Sequence, residues 1–310
     1  MTFILTIQTR GSIWLVADRR LSVPGRPPID DAVKATLVEV TDGIAMLGYA
    51  GLGATAFGTQ PSQWVSNVLR GRHHPLEQML NVVASAMKRE FIPHMQGVRD
   101  TRLRRHSFII PAFLNDRPRI YTIDMVHTDE GYRFRYTRHI IGGALTPLQV
   151  TVPICLAGSG AAALPPIDRR KRPLLSLMKA YNRKKVSEHT LAKYLAQIAY
   201  SSHLATQDGT VGPDSLVVWR NSKRSWHKGG GAHAFFSHGD RSNGASIPSI
   251  SNGMDMSALA NILMEELAPH FEEVSVAWDR GEEPPEFGGR EKRINQRLSK
   301  LPSTPDEKLR

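Results

Sequence analysis

Thr2-Phe3-Ile4-Leu5-Thr6-Ile7-Gln8-Thr9-Arg10-Gly11-Ser12-Ile13-Trp14-Leu15-Val16-Ala17-Asp18 follows Met1, and its reading decides the fold. β-branched residues dominate Thr2 to Ile7, a glycine-bearing turn follows at Thr9-Arg10-Gly11-Ser12, and a second apolar run occupies Ile13 to Ala17, so the segment reads as a β-hairpin. Ile13 to Ala17 does not alternate with polar residues. A continuously apolar strand is covered on both faces, which places this hairpin inside a layered structure rather than on its surface. Asp18-Arg19-Arg20 ends the strand abruptly with charge.

Working outward, Val33 to Val40 and Gly43 to Tyr49 form a second strand pair around Thr41-Asp42, and Ala50-Gly51-Leu52-Gly53 leads into a helical stretch ending at Leu69. Leu76, Met79, Leu80, Val83 and Met87 recur at three and four residues, which predicts a helix over Pro75 to Phe91 that stops near Pro93. Strands are expected at Ser107 to Leu114, Arg119 to Val126, Tyr132 to Thr137 and Val152 to Leu156. Two further helices follow Gly158-Ser159-Gly160, the second capped by Ser187, and then a closing hairpin of Asp214 to Trp219 with Ser225 to Lys228. Strands and helix pairs in this order predict an α+β fold, a four-layer αββα sandwich, over residues 1–228. Residues 229–254, rich in Gly and Ser, read as a flexible segment, 255–279 as a C-terminal helix, and 280–310 as a disordered charged tail.

The 310 residues, 41% of them hydrophobic, suffice for a large core and exclude a disordered chain. The single cysteine, Cys155, closes no intrachain disulfide and belongs to no zinc-type cysteine cluster. The N-terminus lacks the basic region of a secretory signal, and the weakly polar run Gly43 to Gly58 is too short and glycine-interrupted to span a bilayer, so a cytoplasmic protein without a membrane anchor is expected. Lys and Arg number 40 against 29 Asp and Glu, a net charge of +11. The excess clusters at Arg99 to Arg105, Arg169 to Arg172 and Arg183 to Lys185, which fits either solvated loops or a basic nucleic-acid-binding protein.

Several chemistries lose support. The 12 histidines show no HExxH spacing, His73-His74 sits before Pro75 in a loop, and Gly158-Ser159-Gly160 is followed by neither a P-loop lysine nor a nucleophile elbow. No metal or other cofactor is expected. Thr2 offers something else. Removal of Met1 leaves a residue that carries both a hydroxyl and an α-amine, and an α-amine with an ordinary pKa of about 7.7 to 8.0 accepts a proton near neutral pH. Asp18 ends the strand paired with the Thr2 strand and Lys34 begins the next, so a cation and its carboxylate partner are expected at one sheet edge with Thr2. The Gly51 backbone N–H is a candidate donor to a developing oxyanion.

With these residues in place, the chain resembles a proteasome β-type subunit, an N-terminal nucleophile (Ntn) hydrolase of the bacterial type. The resemblance rests on Thr2 after the initiator, Ala17-Asp18-Arg19-Arg20-Leu21-Ser22, Lys34, Tyr49-Ala50-Gly51, Gly158-Ser159-Gly160 and Gln207-Asp208-Gly209-Thr210-Val211-Gly212, and it covers Thr2 to about Lys228. Gln207 and Val211 stand where the family usually has arginine and serine. The resemblance implies that Thr2 is the nucleophile of a threonine peptidase, that Asp18 and Lys34 tune it, that Gly51 stabilises the oxyanion, and that Ser159 and Asp208 orient the terminal amine. It further implies that Arg20, Ser22, Tyr49 and Gly51 bind substrate, partly by strand addition. A ring-type homo-oligomer acting on peptides or unfolded proteins, with an ATPase unfoldase as feeding partner, is the implied setting. A catalytically inactive structural subunit of the same fold remains an alternative.

Overall fold

The computed structural model describes residues 2–21, 27–51, 60–96, 106–129, 131–139, 154–164, 168–207, 209–223, 229–237 and 247–301. Strands β1 (Ile4–Gln8), β2 (Ser12–Asp18), β3 (Ala35–Val40) and β4 (Gly43–Ala50) precede helices α1 (Pro61–Leu69) and α2 (Leu76–Gln96). Strands β5 (Ser107–Leu114), β6 (Arg117–Thr128), β7 (Gly131–His139) and β8 (Ile154–Ala157) come next, followed by helices α3 (Ser159–Ala163), α4 (Asp168–Asn182) and α5 (Glu188–Ala205). The chain continues with β9 (Ser215–Asn221), β10 (Gly230–Phe235), β11 (Ser249–Ser251), β12 (Met254–Asp255), α6 (Met256–Asp279) and α7 (Arg290–Ser299).

Two sheets form, one in the order β10-β9-β2-β1-β8 and the other β12-β11-β3-β4-β5-β6-β7. The opening hairpin pairs Ile4 with Ala17 and Gln8 with Ile13. Its turn is held by Thr9 Oγ1, which accepts the N–H groups of Gly11 at 3.1 Å and Ser12 at 2.9 Å. Alternation across the strands sorts the apolar residues into three buried layers. Trp14, Val16, Phe3 and Leu5 face Leu174, Met178 and Tyr181 of α4 and Leu191, Leu195 and Ile198 of α5. Ile4, Ile13, Leu15 and Ala17 face the second sheet, meeting Leu37, Met46, Ile109 and Phe113. The far side of that sheet, with Val38, Leu47 and Ile110, is covered by Trp64, Val68, Met79 and Val83 of α1 and α2. The expected αββα sandwich is therefore present, and Ile13 to Ala17 is apolar throughout because it serves two cores.

Some boundaries differ from expectation. Helix α2 continues past Pro93 to Gln96. The turn before that proline is anchored by Phe91, whose ring lies 4.6 Å from that of Trp64. The strand paired with β9 is Gly230–Phe235, starting beyond Ser225 to Lys228, residues 224–228 being outside the described set. Residues 229–254, read as flexible, thus contribute β10, β11 and β12. Gly231 illustrates the reason: a Cβ there would lie 2.6 Å from the Trp219 ring, so glycine permits close strand contact with an indole rather than chain freedom. The expected charged tail contains α7, where Ile294 is buried and Arg293 Nε and Arg297 Nη1 donate to Glu266 of α6 at 3.0 and 3.1 Å. Its charges pair across a helix hairpin, which composition alone does not reveal. None of the described helices is long and apolar enough to cross a membrane.

Candidate active site

The antiparallel register of β1 and β2 places Asp18 beside Phe3, where the Asp18 N–H donates to the Phe3 carbonyl at 3.1 Å. The Asp18 carboxylate turns toward the start of the chain. Its Oδ1 accepts from Phe3 N–H at 2.8 Å and from Lys34 Nζ at 2.8 Å, while Oδ2 accepts from the N–H groups of Arg20 and Gly212, each at 3.1 Å. Lys34 precedes β3 in the opposite sheet, its backbone fixed by Tyr49 N–H donating to its carbonyl at 2.9 Å. The Lys34 Nζ also donates to Thr2 Oγ1. Thr2, Asp18 and Lys34 are each only 1% exposed.

Burying two charges has a desolvation cost of several kcal/mol per ion, recovered only when their hydrogen-bonding capacity is filled. Here four donors satisfy one carboxylate, and the remaining partner of the ammonium is a threonine hydroxyl. Burial pushes the Lys34 ammonium below its ordinary value, while the adjacent Asp18 charge opposes that shift and favours the cation. A hydroxyl that accepts from a desolvated cation is polarised toward its alkoxide, the property a nucleophile needs.

The third side of the cluster is the turn after β8. Gly158 adopts φ 88°, and a Cβ there would lie 1.8 Å from the Thr2 carbonyl oxygen, so glycine is required on both steric and conformational grounds. The Gly160 N–H donates to that same oxygen at 3.3 Å. The Ser159 hydroxyl, expected near the terminal amine, shares a hydrogen bond of 3.1 Å with Thr210 Oγ1. Asp208, expected with Ser159 to orient the terminal amine, lies outside the described residues, as does Ser22.

Arg20, Tyr49 and Gly51 are the other expected site residues within the described set. Arg20 grips Asp30 through two hydrogen bonds of 2.6 and 2.7 Å and donates to the Gly209 carbonyl at 2.9 Å, which engages its guanidinium in joining loops. The same hydrogen bonds hold the Asp30 carboxyl below its usual range. Tyr49 is buried in the core beneath α1 and α2, and its hydroxyl lies 2.5 Å from His106 Nδ1. Gly51 adjoins that hydroxyl and ring at the end of β4. Asp30 and His106 were not singled out from sequence, because each acquires its partner only through the tertiary fold. Among the described residues, no group of three or more His, Cys, Asp or Glu side chains is arranged to hold a metal ion.

No protein-family model matches the chain, and no curated relative matches it. Among solved structures it is similar to an Anbu protein from Hyphomicrobium sp. strain MC1, at 12% identity and TM-score 0.44, covering 88% of this chain and 97% of that one. It is similar to the Anbu complex from Pseudomonas aeruginosa, solved as a helical assembly, at 13% identity and TM-score 0.45 over 87% of this chain and 95% of that one. Similarity to the eukaryotic HslV from Trypanosoma brucei is 16% in identity, with TM-score 0.33, over 70% of this chain and 98% of that one.

Proposed function

We propose that this chain is an Ntn hydrolase of the proteasome β-subunit type, a threonine peptidase in which Met1 removal exposes Thr2 inside a self-assembled compartment. The observation that carries the reading is the buried hydrogen-bonded line from Asp18 through Lys34 Nζ to Thr2 Oγ1. In the proposed reaction the freed α-amine of Thr2 takes the hydroxyl proton, and Oγ attacks a peptide carbonyl to form an acyl-enzyme ester. The leaving amine receives that proton, and water activated at the same amine hydrolyses the ester. Lys34 favours the neutral amine by like-charge repulsion and stabilises negative charge on Oγ, and Asp18 holds Lys34 in position. The Gly51 N–H serves as oxyanion donor, with Ser159 and Asp208 ordering the amine and Ser22 receiving the substrate main chain. An ATPase unfoldase supplying unfolded chains to the cytoplasmic particle completes the proposal.

One observation favours a catalytically silent subunit instead. Val211 is fully buried and packs in the same apolar core as Phe3, so a hydroxyl present in the related family is absent from the surroundings of the N-terminus.

The pH profile of fluorogenic peptide cleavage tests the peptidase reading. kcat/KM rises as the α-amine loses its proton, with a midpoint below the roughly 7.7 to 8.0 of a free amine because of the Lys34 cation. It falls again below the ordinary lysine range, because burial lowers the Lys34 value and a neutral Lys34 no longer stabilises Oγ. Absence of cleavage across the whole range supports the silent subunit.

A further inference from the structure

The segment Gly209 to Gly212, between α5 and β9, belongs to no helix or strand, yet each of its four residues is fastened to another part of the chain. The Gly209 carbonyl accepts from Arg20 Nη1 at 2.9 Å, and the Thr210 hydroxyl shares its hydrogen bond with Ser159 at the start of α3. The Val211 carbonyl lies 2.8 Å from His203 Nδ1 of α5, and since a carbonyl only accepts, that ring nitrogen carries the hydrogen. The Gly212 N–H donates to Asp18 Oδ2 at 3.1 Å. The ties at Gly209 and Gly212 both lead to Asp18, one through Arg20 and one directly.

The main-chain N–H of Arg20 donates to the same Asp18 Oδ2 at 3.1 Å. Its guanidinium is oriented by Asp30, whose Oδ1 accepts from Nε at 2.6 Å and whose Oδ2 accepts from Nη2 at 2.7 Å. This two-point grip sets the plane of the guanidinium and leaves Nη1 for the Gly209 carbonyl. The space between these groups is filled: a Cβ on Gly212 would lie 2.7 Å from Arg20 Cβ and 3.2 Å from Asp30 Oδ1. Asp30 is held in turn by the bridge of Leu21 with Ile29, whose N–H groups donate to each other's carbonyls at 2.7 and 3.0 Å. Arg20 stands two residues after Asp18 and Asp30 four before Lys34, so one ion pair ties the chain leaving the carboxylate to the chain delivering the cation.

The pair adds little to folding, because the Asp30 side chain is 41% exposed and an ion pair so open to water is worth little. It adds little field as well: beside burial and the Asp18 charge, Asp30 and Arg20 act on Lys34 with opposite signs. What it supplies is geometry. We propose that Asp30 is a positioning residue for the Thr2 site: by orienting Arg20 it clamps the 209–212 segment against Asp18 Oδ2, and so fixes the carboxylate from which Lys34 Nζ reaches the Thr2 hydroxyl. Its effect on turnover rests on the peptidase function proposed above, whereas the clamp itself is measurable without catalysis.

Asp30→Ala and Asp30→Asn are expected to lower kcat on a fluorogenic peptide by about 10- to 100-fold with KM within about threefold of wild type, because alignment is lost rather than a substrate contact. Asp30→Glu, which keeps a carboxylate, recovers part of the rate, and Asp31→Asn, the same loss of charge at the exposed neighbour, leaves kcat unchanged. Hydrogen exchange read by mass spectrometry supplies the measurement that needs no turnover. In Asp30→Ala, protection of the peptide containing Gly212 falls by about tenfold or more, while β4 and β5 and the melting temperature keep their wild-type values. A Gly212 amide as protected as in the wild type overturns the proposal, and so does lost protection without a fall in kcat in an active protein. A rise in KM with kcat intact would make Asp30 a substrate contact, and uniform deprotection with a lower melting temperature would make it a stabilising residue alone; either result also overturns the proposal. If the wild type cleaves nothing, the peptidase reading fails while the exchange at Gly212 still decides whether Asp30 forms the clamp.

Discussion

Thr2→Ala lowers peptide hydrolysis by about 10⁴-fold or more while leaving the fold in place. The expectation follows from what the substitution removes: the hydroxyl that accepts from Lys34 Nζ. No compensating nucleophile is proposed at the site, and removal of a covalent nucleophile in comparable hydrolytic machinery leaves only the residual contribution of binding and oxyanion stabilisation. Stability changes little, because Lys34 retains Asp18 at 2.8 Å and the Thr2 carbonyl retains the Gly160 N–H. Thr2→Ser, which preserves hydroxyl and amine together, retains measurable turnover. Initial rates on a fluorogenic peptide, alongside thermal denaturation of both variants, read the two effects separately.

Asp18→Ala has the largest expected effect on folding. The carboxylate satisfies Lys34 Nζ and three backbone N–H groups, those of Phe3, Arg20 and Gly212. Its removal leaves a buried cation without its counter-charge and three donors without their acceptor, and breaking a buried pair from one side costs about 3 to 5 kcal/mol. Activity is lost as well, since Lys34 loses the charge that keeps it protonated and in place. Asp18→Asn does not rescue, because an amide nitrogen replaces one accepting oxygen and meets donors at whichever end it faces. Urea denaturation measures the stability loss, and a change below about 1 kcal/mol would show that the carboxylate is not the structural centre described here.

The layered architecture was legible because it is written in runs of residues. Continuous apolarity at Ile13 to Ala17 marks a strand between two cores, and the spacing of Leu76, Met79, Val83 and Met87 marks a helix with one buried stripe. The nearness of Asp18 to Thr2 was legible because β1 and β2 form a local hairpin, whereas Lys34, expected at the same sheet edge, reaches them from ahead of β3 in the opposite sheet, a contact set by the packing of the two sheets. Contacts made across long loops were hidden. Nothing in the spacing of Arg20 and Asp30 announces that their side chains clamp together, or in that of Tyr49 and His106 that the hydroxyl meets the imidazole. Composition misled at the C-terminal end for a definable reason: glycine density and charge density each have two physical causes. Gly231 is small because Trp219 lies against it, and the arginines of α7 are numerous because α6 supplies the acids.

In the proposed mechanism the Thr2 hydroxyl acts with a free main-chain nitrogen on the same residue. Mass spectrometry of the purified protein treated with an epoxyketone, an electrophile that closes a ring only with an N-terminal amine and its neighbouring hydroxyl, tests it most directly. The expected product is a protein that lacks Met1 and carries one adduct, located on Thr2 and absent from Thr2→Ala. A chain that keeps Met1, or an adduct formed equally on the alanine variant, would contradict it.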